Sequence, residues 1–371
     1  MASDALHIIS NSIPWPPDYG GAMDVFYKLK ALHQLGVEII LHCFEYKSPK
    51  SEELNRYCKE VYYYPRNTGW KSQFSSIPYI VKSRQCPLLL DRLVKDDFPI
   101  LFEGHHTTSF LGHPALQGRK QWVRAHNIEH DYYHSLYMAE KILYKKLYYK
   151  IESAKLKKYN SVLARANGVF AISPADAAAL KEANHHTLLI PAFHGYSQVS
   201  SLTGKGEYLL YHGDLSVAEN SRSAEFMVEV CKDLPYRFII AGKSPPDYLV
   251  SLISQHPNIE LIKNPDADTM KQFIQNAGVI LLAAKQTTGL RLKLLISLFT
   301  GRHCIASPEM VIETGLEKLC RIAIDKSEWQ ETIKLCMNTP FTEYHINQRL
   351  EPLKTYLDMD NAKEIVRLIG L

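Results

Sequence analysis

The stretch Lys285-Gln286-Thr287-Thr288-Gly289-Leu290-Arg291-Leu292-Lys293 carries the side chains best suited to gripping an anion. It follows Gly278-Val279-Ile280-Leu281-Leu282, an apolar run that reads as a buried parallel strand. From Leu290 to Phe299, Leu292, Leu295, Ile296 and Phe299 recur at helical spacing. A strand, a turn with Thr288 and Gly289, and a helix opening with Arg291 and Lys293 make a device for phosphate. The first backbone N–H groups of a helix lack internal partners, and the helix dipole makes that end positive. Gly289 lets the backbone approach closely, and Arg291 and Lys293 add charge. An ordinary strand-to-helix turn with two solvated basic residues would look the same locally, so the surrounding elements decide.

Those elements are regular. Leu6 to Ser10 reads as a strand, Gly20-Gly21 leads into a helix from Met23 to Leu35, and Val37 to Phe44 is the next strand. This βαβ opening calls for a parallel sheet with right-handed crossovers. It lacks GxGxxG, which argues against a dinucleotide dehydrogenase. Gly20 and Gly21 fall beyond the carboxyl end of the first strand, where open α/β sheets bind ligands. Further strands are expected at 61–64, 99–103, 121–124, 168–172 and 187–191. Two of them deliver histidines at their ends: His105 and His106, then His126 and His130. As metal ligands these lack a completing Cys or carboxylate at tight spacing. His126 and Asn127 read better as hydrogen-bond partners of a substrate, and the other three equally well as structural histidines.

The region 129–163 reads as one long helix with a basic, tyrosine-rich face, including Lys145, Lys146, Lys150, Tyr144 and Tyr148. It suits solvent or, through Lys141 to Lys158, a peripheral contact with an anionic membrane. After a Gly/Ser/Thr-rich linker at 194–207, a second α/β series begins. Its strands end at Gly213-Asp214, at Gly242-Lys243 and before the basic helix, so Gly213, Lys243 and the Gly289 turn share one sheet rim. The fold class is α/β, with two doubly wound Rossmann-like domains facing across a cleft. The expected boundaries are 1–198, 199–345 and a helical tail, 346–371, able to cross back to the first domain.

Composition agrees. The chain has 371 residues, 46% hydrophobic and 22% charged, with a formal net charge of +4 that does not call for nucleic acid. Seven scattered Cys without a CxxC pair read as reduced thiols of a cytoplasmic protein. No basic-then-apolar leader opens the sequence, and no apolar run reaches the length of a membrane span.

In order and spacing, several segments resemble the retaining GT-B glycosyltransferases of the broad family-four type. These are Pro16-Pro17 to Gly20-Gly21, Arg124-Ala125-His126-Asn127-Ile128-Glu129, and Gly168 to Ser173. They continue with Gly213-Asp214-Leu215, Glu219-Asn220, Ala241-Gly242-Lys243, and Thr288-Gly289-Leu290-Arg291-Leu292-Lys293-Leu294-Leu295 leading to Thr300-Gly301. The resemblance runs over nearly the whole chain. It implies a metal-independent hexosyltransferase with no cofactor beyond its nucleotide-diphosphate sugar donor. The second domain would hold the diphosphate at Gly289, Leu290, Arg291 and Lys293. The first would hold a polysaccharide or lipid-linked acceptor, with Gly20 and Gly21 near the donor phosphates and His126 near the transferred sugar.

The sequence departs from that pattern at three positions. The two carboxylates that such enzymes place around the last segment correspond to Thr288 and Ile296, and a lysine before Asn220 is replaced by Glu219. Arg291 and Lys293 are then left to neutralise the leaving diphosphate. The departures open two alternatives: a catalytically impaired relative that serves as a binding partner, and a nucleotide-sugar epimerase using His126 and Glu129. Asp266-Ala267-Asp268 and Asp358-Met359-Asp360 spell DxD, but their places at helix starts suit capping rather than metal.

Overall fold

In the computed structural model the residues described are 5–46, 49–69, 72, 75–284 and 291–371. They pack as two compact units, one of 5–195 with 358–371 and one of 196–284 with 291–357.

The first unit holds a sheet of β1 (Ala5–Ser10), β2 (Glu38–Phe44), β3 (Glu60–Tyr64), β4 (Ile100–Glu103), β5 (Gln121–Ala125), β6 (Gly168–Ala171) and β7 (Thr187–Leu189). All pairings are parallel, in the order β3-β2-β1-β4-β5-β6-β7. Strands such as β1, buried along its whole length, are apolar on both faces because helices cover both faces. The order reverses between β1 and β4, which is where such sheets open a crevice at their carboxyl ends. Helix α1 (Gly20–Gln34) follows β1 and buries Val25, Leu29 and Leu32 against it. Then come α2 (Tyr79–Lys82), α3 (Pro87–Leu93), α4 (Glu129–Ala139), α5 (Leu143–Tyr159) and α6 (Pro174–Leu180).

The region 129–163, expected as one helix, is broken. A carboxylate oxygen of Glu140 accepts the N–H groups of Lys141 and Ile142, both at 2.9 Å. That satisfies donors which an unbroken helix would have paired internally, and α5 starts afresh beyond them.

The second unit is built the same way, from β8 (Leu209–Asp214), α7 (Ala218–Cys231), β9 (Phe238–Lys243), α8 (Asp247–Ile253), β10 (Ile259–Lys263), α9 (Ala267–Asn276), β11 (Val279–Leu282) and α10 (Leu292–Thr300). Strands β12 (His303–Ala306) and β13 (Arg321–Ile322) extend the sheet, and helices α11 (Lys326–Asn338) and α12 (Glu343–Lys354) follow. The parallel order is β10-β9-β8-β11-β12-β13, reversing between β8 and β11. Trp329 and Ile333 of α11 close its core against Leu209, Phe238, Val279 and Ile305.

Arg349 of α12 is 2% exposed and fastens the far end of α10. Its guanidinium donates to the carbonyls of Leu298 (2.9 Å) and Gly301 (2.6 Å) and to Ser201 Oγ (2.8 Å). Helix-terminal carbonyls that would lack partners are thereby satisfied. The last helix, α13 (Asp358–Ile369), packs in the first unit, where Ala362, Ile365 and Ile369 join the core around Leu29 and Leu32. Among the described residues no helix is long and apolar enough to cross a membrane.

Candidate functional site

In the first unit, α1 and the ends of β4 and β5 bring five ionisable side chains together. Asp24 and Lys28 lie one turn apart on the inward face of α1, Glu103 ends β4, and Arg124 and His126 lie at the end of β5. Asp24, Lys28, Glu103 and Arg124 are wholly buried. Arg124 grips Asp24 with two nitrogens, Nη2 to Oδ1 at 2.8 Å and Nε to Oδ2 at 3.1 Å. Lys28 Nζ lies 2.7 Å from Glu103 Oε1 and 3.2 Å from Asp24 Oδ2. The Phe193 N–H donates to Asp24 Oδ1 at 2.9 Å. Burial alone would push both carboxyls up. The cations Arg124 and Lys28 outweigh it for Asp24, and Lys28 with His126 does so for Glu103, so both stay below their ordinary values.

His126 Nε2 lies 2.8 Å from Glu103 Oε2 and 3.7 Å from Asp24 Oδ2. An ionised Glu103 can only accept, so Nε2 carries the hydrogen and the Nδ1 edge is left for other work. That edge faces Gly21: a Cβ built there would lie 3.8 Å from His126 Nδ1 and 3.2 Å from the Tyr19 ring. Gly20 and Gly21 form the first turn of α1, which has no side-chain cap. The structure therefore brings Gly20, Gly21 and His126 together, with Asn127 half-buried next in the chain.

Asp24, Glu103 and His126 also place three ligand-type atoms within 4.8 Å of one another. Lys28 and Arg124 already balance the two carboxylates, so a divalent cation there would have to displace a buried ammonium group. The donor set fits a charge network better than a metal.

Beside this cluster, Glu129 is buried at the start of α4, with Oε1 3.7 Å from His106 Nδ1. Burial pushes Glu129 up to about 7 against the opposing charge of Arg84, and pushes His106 well down. His105 is structural: Nε2 pairs with Asn160 Oδ1 at 2.9 Å.

In the second unit, the reversal between β8 and β11 places Gly213, Asn220 and Lys293 on one rim. Lys293, in the first turn of α10, donates from Nζ to Asn220 Oδ1 at 3.0 Å and stands 5.2 Å over the Tyr211 ring. Asn220 Nδ2 in turn donates to the Asp214 carbonyl at 2.9 Å. Burial lowers Lys293 to about 8, with the charge of Glu219 opposing. A Cβ on Gly213 would lie 3.6 Å from the Asn220 side chain, an ordinary contact distance. Gly242 serves packing: a Cβ there would fall 2.1 Å from the Gly213 carbonyl. Lys243, exposed at the end of β9, pairs in register with Asp214.

Arg291 precedes α10, and its Nη1 donates to the carbonyls of Met310 (3.2 Å) and Ile312. Part of this guanidinium thus holds the 310–312 segment, a role its sequence neighbours do not announce. Thr288, Gly289 and Leu290 lie outside the described residues, and Ile296 is half-buried on α10. Asp266 caps α9, accepting from the Thr269 N–H at 2.7 Å. Asp358 instead accepts the N–H groups of His194 (3.1 Å) and Gly195 (2.7 Å), fastening α13 to the end of the first unit's chain.

Asp24, Lys28 and Glu103 are the residues that sequence reasoning missed. The signal was present for two of them, because positions 24 and 28 fall in phase with the buried stripe 25, 29 and 32. A charged pair inside an apolar stripe marks a buried network.

Two parallel sheets of this order, each with its reversal at a polar rim, define the class: the fold is that of the GT-B glycosyltransferases. Among solved structures it is similar to TarM, with a TM-score of 0.71 at 10% identity, covering 100% of this chain and 99% of that one. It is also similar to UGT89C1 of Arabidopsis thaliana (0.60, 13% identity, covering 99% and 100%). A third is the α,α-trehalose 6-phosphate synthase of Burkholderia multivorans (0.61, 10%, covering 99% and 98%). No known family's sequence profile matches the chain. Over 160 residues it is 31% identical to an uncharacterised 44.6 kDa protein in the cps region of Klebsiella pneumoniae, a match that spans 41% of either chain.

Proposed function

We propose that this chain is a metal-independent hexosyltransferase. It would transfer a sugar, with retention at the anomeric carbon, from a nucleotide-diphosphate sugar to a polysaccharide or lipid-linked acceptor, the latter met at a membrane surface through Lys141 to Lys158. The observation that carries the reading is Lys293, in the first turn of α10 at the sheet reversal. Its ammonium is partly buried and donates to Asn220, and among the described residues no carboxylate lies at ion-pair distance from it. A dianion is a partner that would stabilise its charged form.

In this reading the start of α10, with Thr288, Gly289, Leu290, Arg291 and Lys293, takes the diphosphate, while Gly213 and Lys243 border it. Charge that builds on the leaving diphosphate meets backbone N–H groups and an ammonium already in place, which is transition-state stabilisation by preorganised groups. In the first unit, Gly20, Gly21, His126 and Asn127 face the sugar and acceptor. His126 is locked by Glu103, so its Nδ1 edge can hydrogen-bond a sugar hydroxyl without turning.

UDP is the first nucleotide to test, because a TarM variant and UGT89C1 were both solved with it. Calorimetry with UDP, GDP, ADP and dTDP should give binding to at least one that weakens in Lys293→Ala. Binding to none would remove the proposal. A second reading, a non-catalytic relative, is favoured by Thr288 and Ile296 at the expected carboxylate positions. It predicts nucleotide binding with no hydrolysis of any donor sugar.

A further inference from the structure

Cys304 and Cys320 stand opposite each other on neighbouring strands. β12 pairs with β13 in parallel, with Ile305 against Arg321, so one residue back the register sets Cys304 against Cys320. Residues paired across parallel strands lie about 4.8 Å apart and share one face of the sheet. That falls inside the roughly 4.4–6.8 Å that a disulfide spans between Cα atoms. Both residues are free thiols in this structure.

Their surroundings differ from those of the other cysteines. Arg349 donates from Nη2 to Cys304 Sγ at 3.9 Å. Its remaining partners, the carbonyls of Leu298, Gly301 and Arg302 and the Ser201 hydroxyl, are all neutral. Among the described residues no carboxylate lies at ion-pair distance from this buried guanidinium, so an ionised Cys304 is the anion within its reach. The Cys320 thiol hydrogen-bonds Cys304 and, with Arg349 adding to it, holds Cys304 below its ordinary value against burial. The same bond, helped by burial, pushes Cys320 well up. Cys43, Cys58 and Cys231 lack such partners, and burial pushes each of them up. Of the pair, then, Cys304 is the nucleophile and Cys320 the proton holder.

We propose that Cys304 and Cys320 are a redox-active pair that a small peroxide closes to a disulfide and that thiols reopen. Cys304 is 4% exposed, so an oxidant near the size of water suits it and a bulky one does not. The Cys304 sulfur attacks one peroxide oxygen and the O–O bond breaks. Hydroxide leaves, takes up the proton that Cys304 had released, and Cys304 becomes a sulfenic acid. The Cys320 sulfur then displaces the sulfenic hydroxyl, which departs as water with the Cys320 proton. Two thiols and one hydrogen peroxide thus give one disulfide and two waters. The ring so closed contains Met310 and Ile312, whose carbonyls accept from Arg291, and ties their segment to β12.

The test treats the full, reduced chain with hydrogen peroxide. It then counts thiols in denaturant and maps unreduced tryptic peptides by mass. Two of the seven thiols should disappear, joined as Cys304 to Cys320, and return with dithiothreitol. Cys320→Ser should stop the reaction at a sulfenic acid on Cys304, trapped by dimedone. Cys304→Ser should slow oxidation of Cys320 about tenfold or more, since the ionised sulfur is lost. Far-UV circular dichroism of both serine variants should match the unmodified protein, and none of these readouts depends on the transferase proposal. Three results overturn the pair: seven thiols surviving the peroxide, a bond that joins either residue to Cys336 or to another chain instead, or no dimedone adduct on Cys304 in Cys320→Ser.

Discussion

Lys293 gives the sharpest test of the proposed nucleotide site, because its titration and its contacts with Asn220 and Tyr211 both bear on an anionic ligand. In the free protein burial lowers it from 10.5 to about 8. A bound diphosphate would add to the opposite charge that Glu219 already supplies and raise it again. Binding above pH 8 therefore takes up a proton. The dissociation constant should be nearly flat from pH 7 to 8, then weaken by about tenfold per pH unit until the complex itself deprotonates. Lys293→Ala removes a charged hydrogen bond worth about 1.5–3 kcal/mol, so at pH 7 affinity should fall by roughly 10- to 150-fold. In that variant the pH dependence above 8 should vanish. Stability has its own sign. Between pH 8 and 10.5 the unfolded chain holds a proton that folded Lys293 has released, so stability should rise with pH across that window. Allowing for the partial exposure of the side chain, the rise is about 1–3 kcal/mol, and Lys293→Gln should flatten it. Titration calorimetry across this pH range, with urea melts of both proteins, measures every quantity. Affinity that ignores pH in the unmodified protein, or equal affinity in Lys293→Ala, would refute the assignment of this helix end to a diphosphate.

Glu103→Gln should destabilise by about 3–5 kcal/mol in denaturant melts, because it leaves Lys28 buried without its nearest carboxylate; a loss under 1 kcal/mol would show that the network relaxes easily. Gly21→Val should cut sugar transfer at least tenfold while leaving the melting temperature nearly unchanged, since the added side chain meets the Tyr19 ring and the His126 edge rather than the core. Glu129, pushed up to about 7, keeps a proton between pH 4.5 and 7 that the unfolded chain has released. Its contribution to stability therefore falls as pH rises through that window, and Glu129→Gln should flatten the fall in melts at pH 5 and 7.

Most of the strands were legible, though not their order in the sheets, because βα alternation writes each buried strand as an apolar run. Strands β12 and β13 were not, for a physical reason. The first follows Arg302 and opens with His303, which leaves an apolar run of only Cys304, Ile305 and Ala306, and the second is two exposed residues long, so neither carries a strand-length signature. The break between α4 and α5 was hidden because helical periodicity continues across it, and a single glutamate side chain decides it. The rims were half legible. Gly21 and His126 could be placed from strand ends alone, and the structure brings them together. Arg291 could not be understood locally, because its carbonyl partners lie in a segment that only the tertiary fold delivers.

The buried charges of the first unit explain what such a site requires. Two carboxylates and two cations without water cost the folded state desolvation that apolar side chains of the same volume would avoid. That expense has a structural return at one atom. Arg124 and Lys28 keep Asp24 and Glu103 ionised, an ionised Glu103 fixes the hydrogen on His126 Nε2, and a fixed Nε2 leaves the Nδ1 edge aimed past Gly21. Each link needs the one before it, and removing any charge frees the imidazole to turn or change tautomer. The second rim uses the opposite device. Lys293 is held by a neutral amide with the charge of Glu219 near it, and in the proposed reading a diphosphate would complete its partners. If the proposed function holds, one rim is rigid before the substrate arrives and the other is finished by it, a division that would suit orientation of a sugar on the first and retention of a leaving diphosphate on the second.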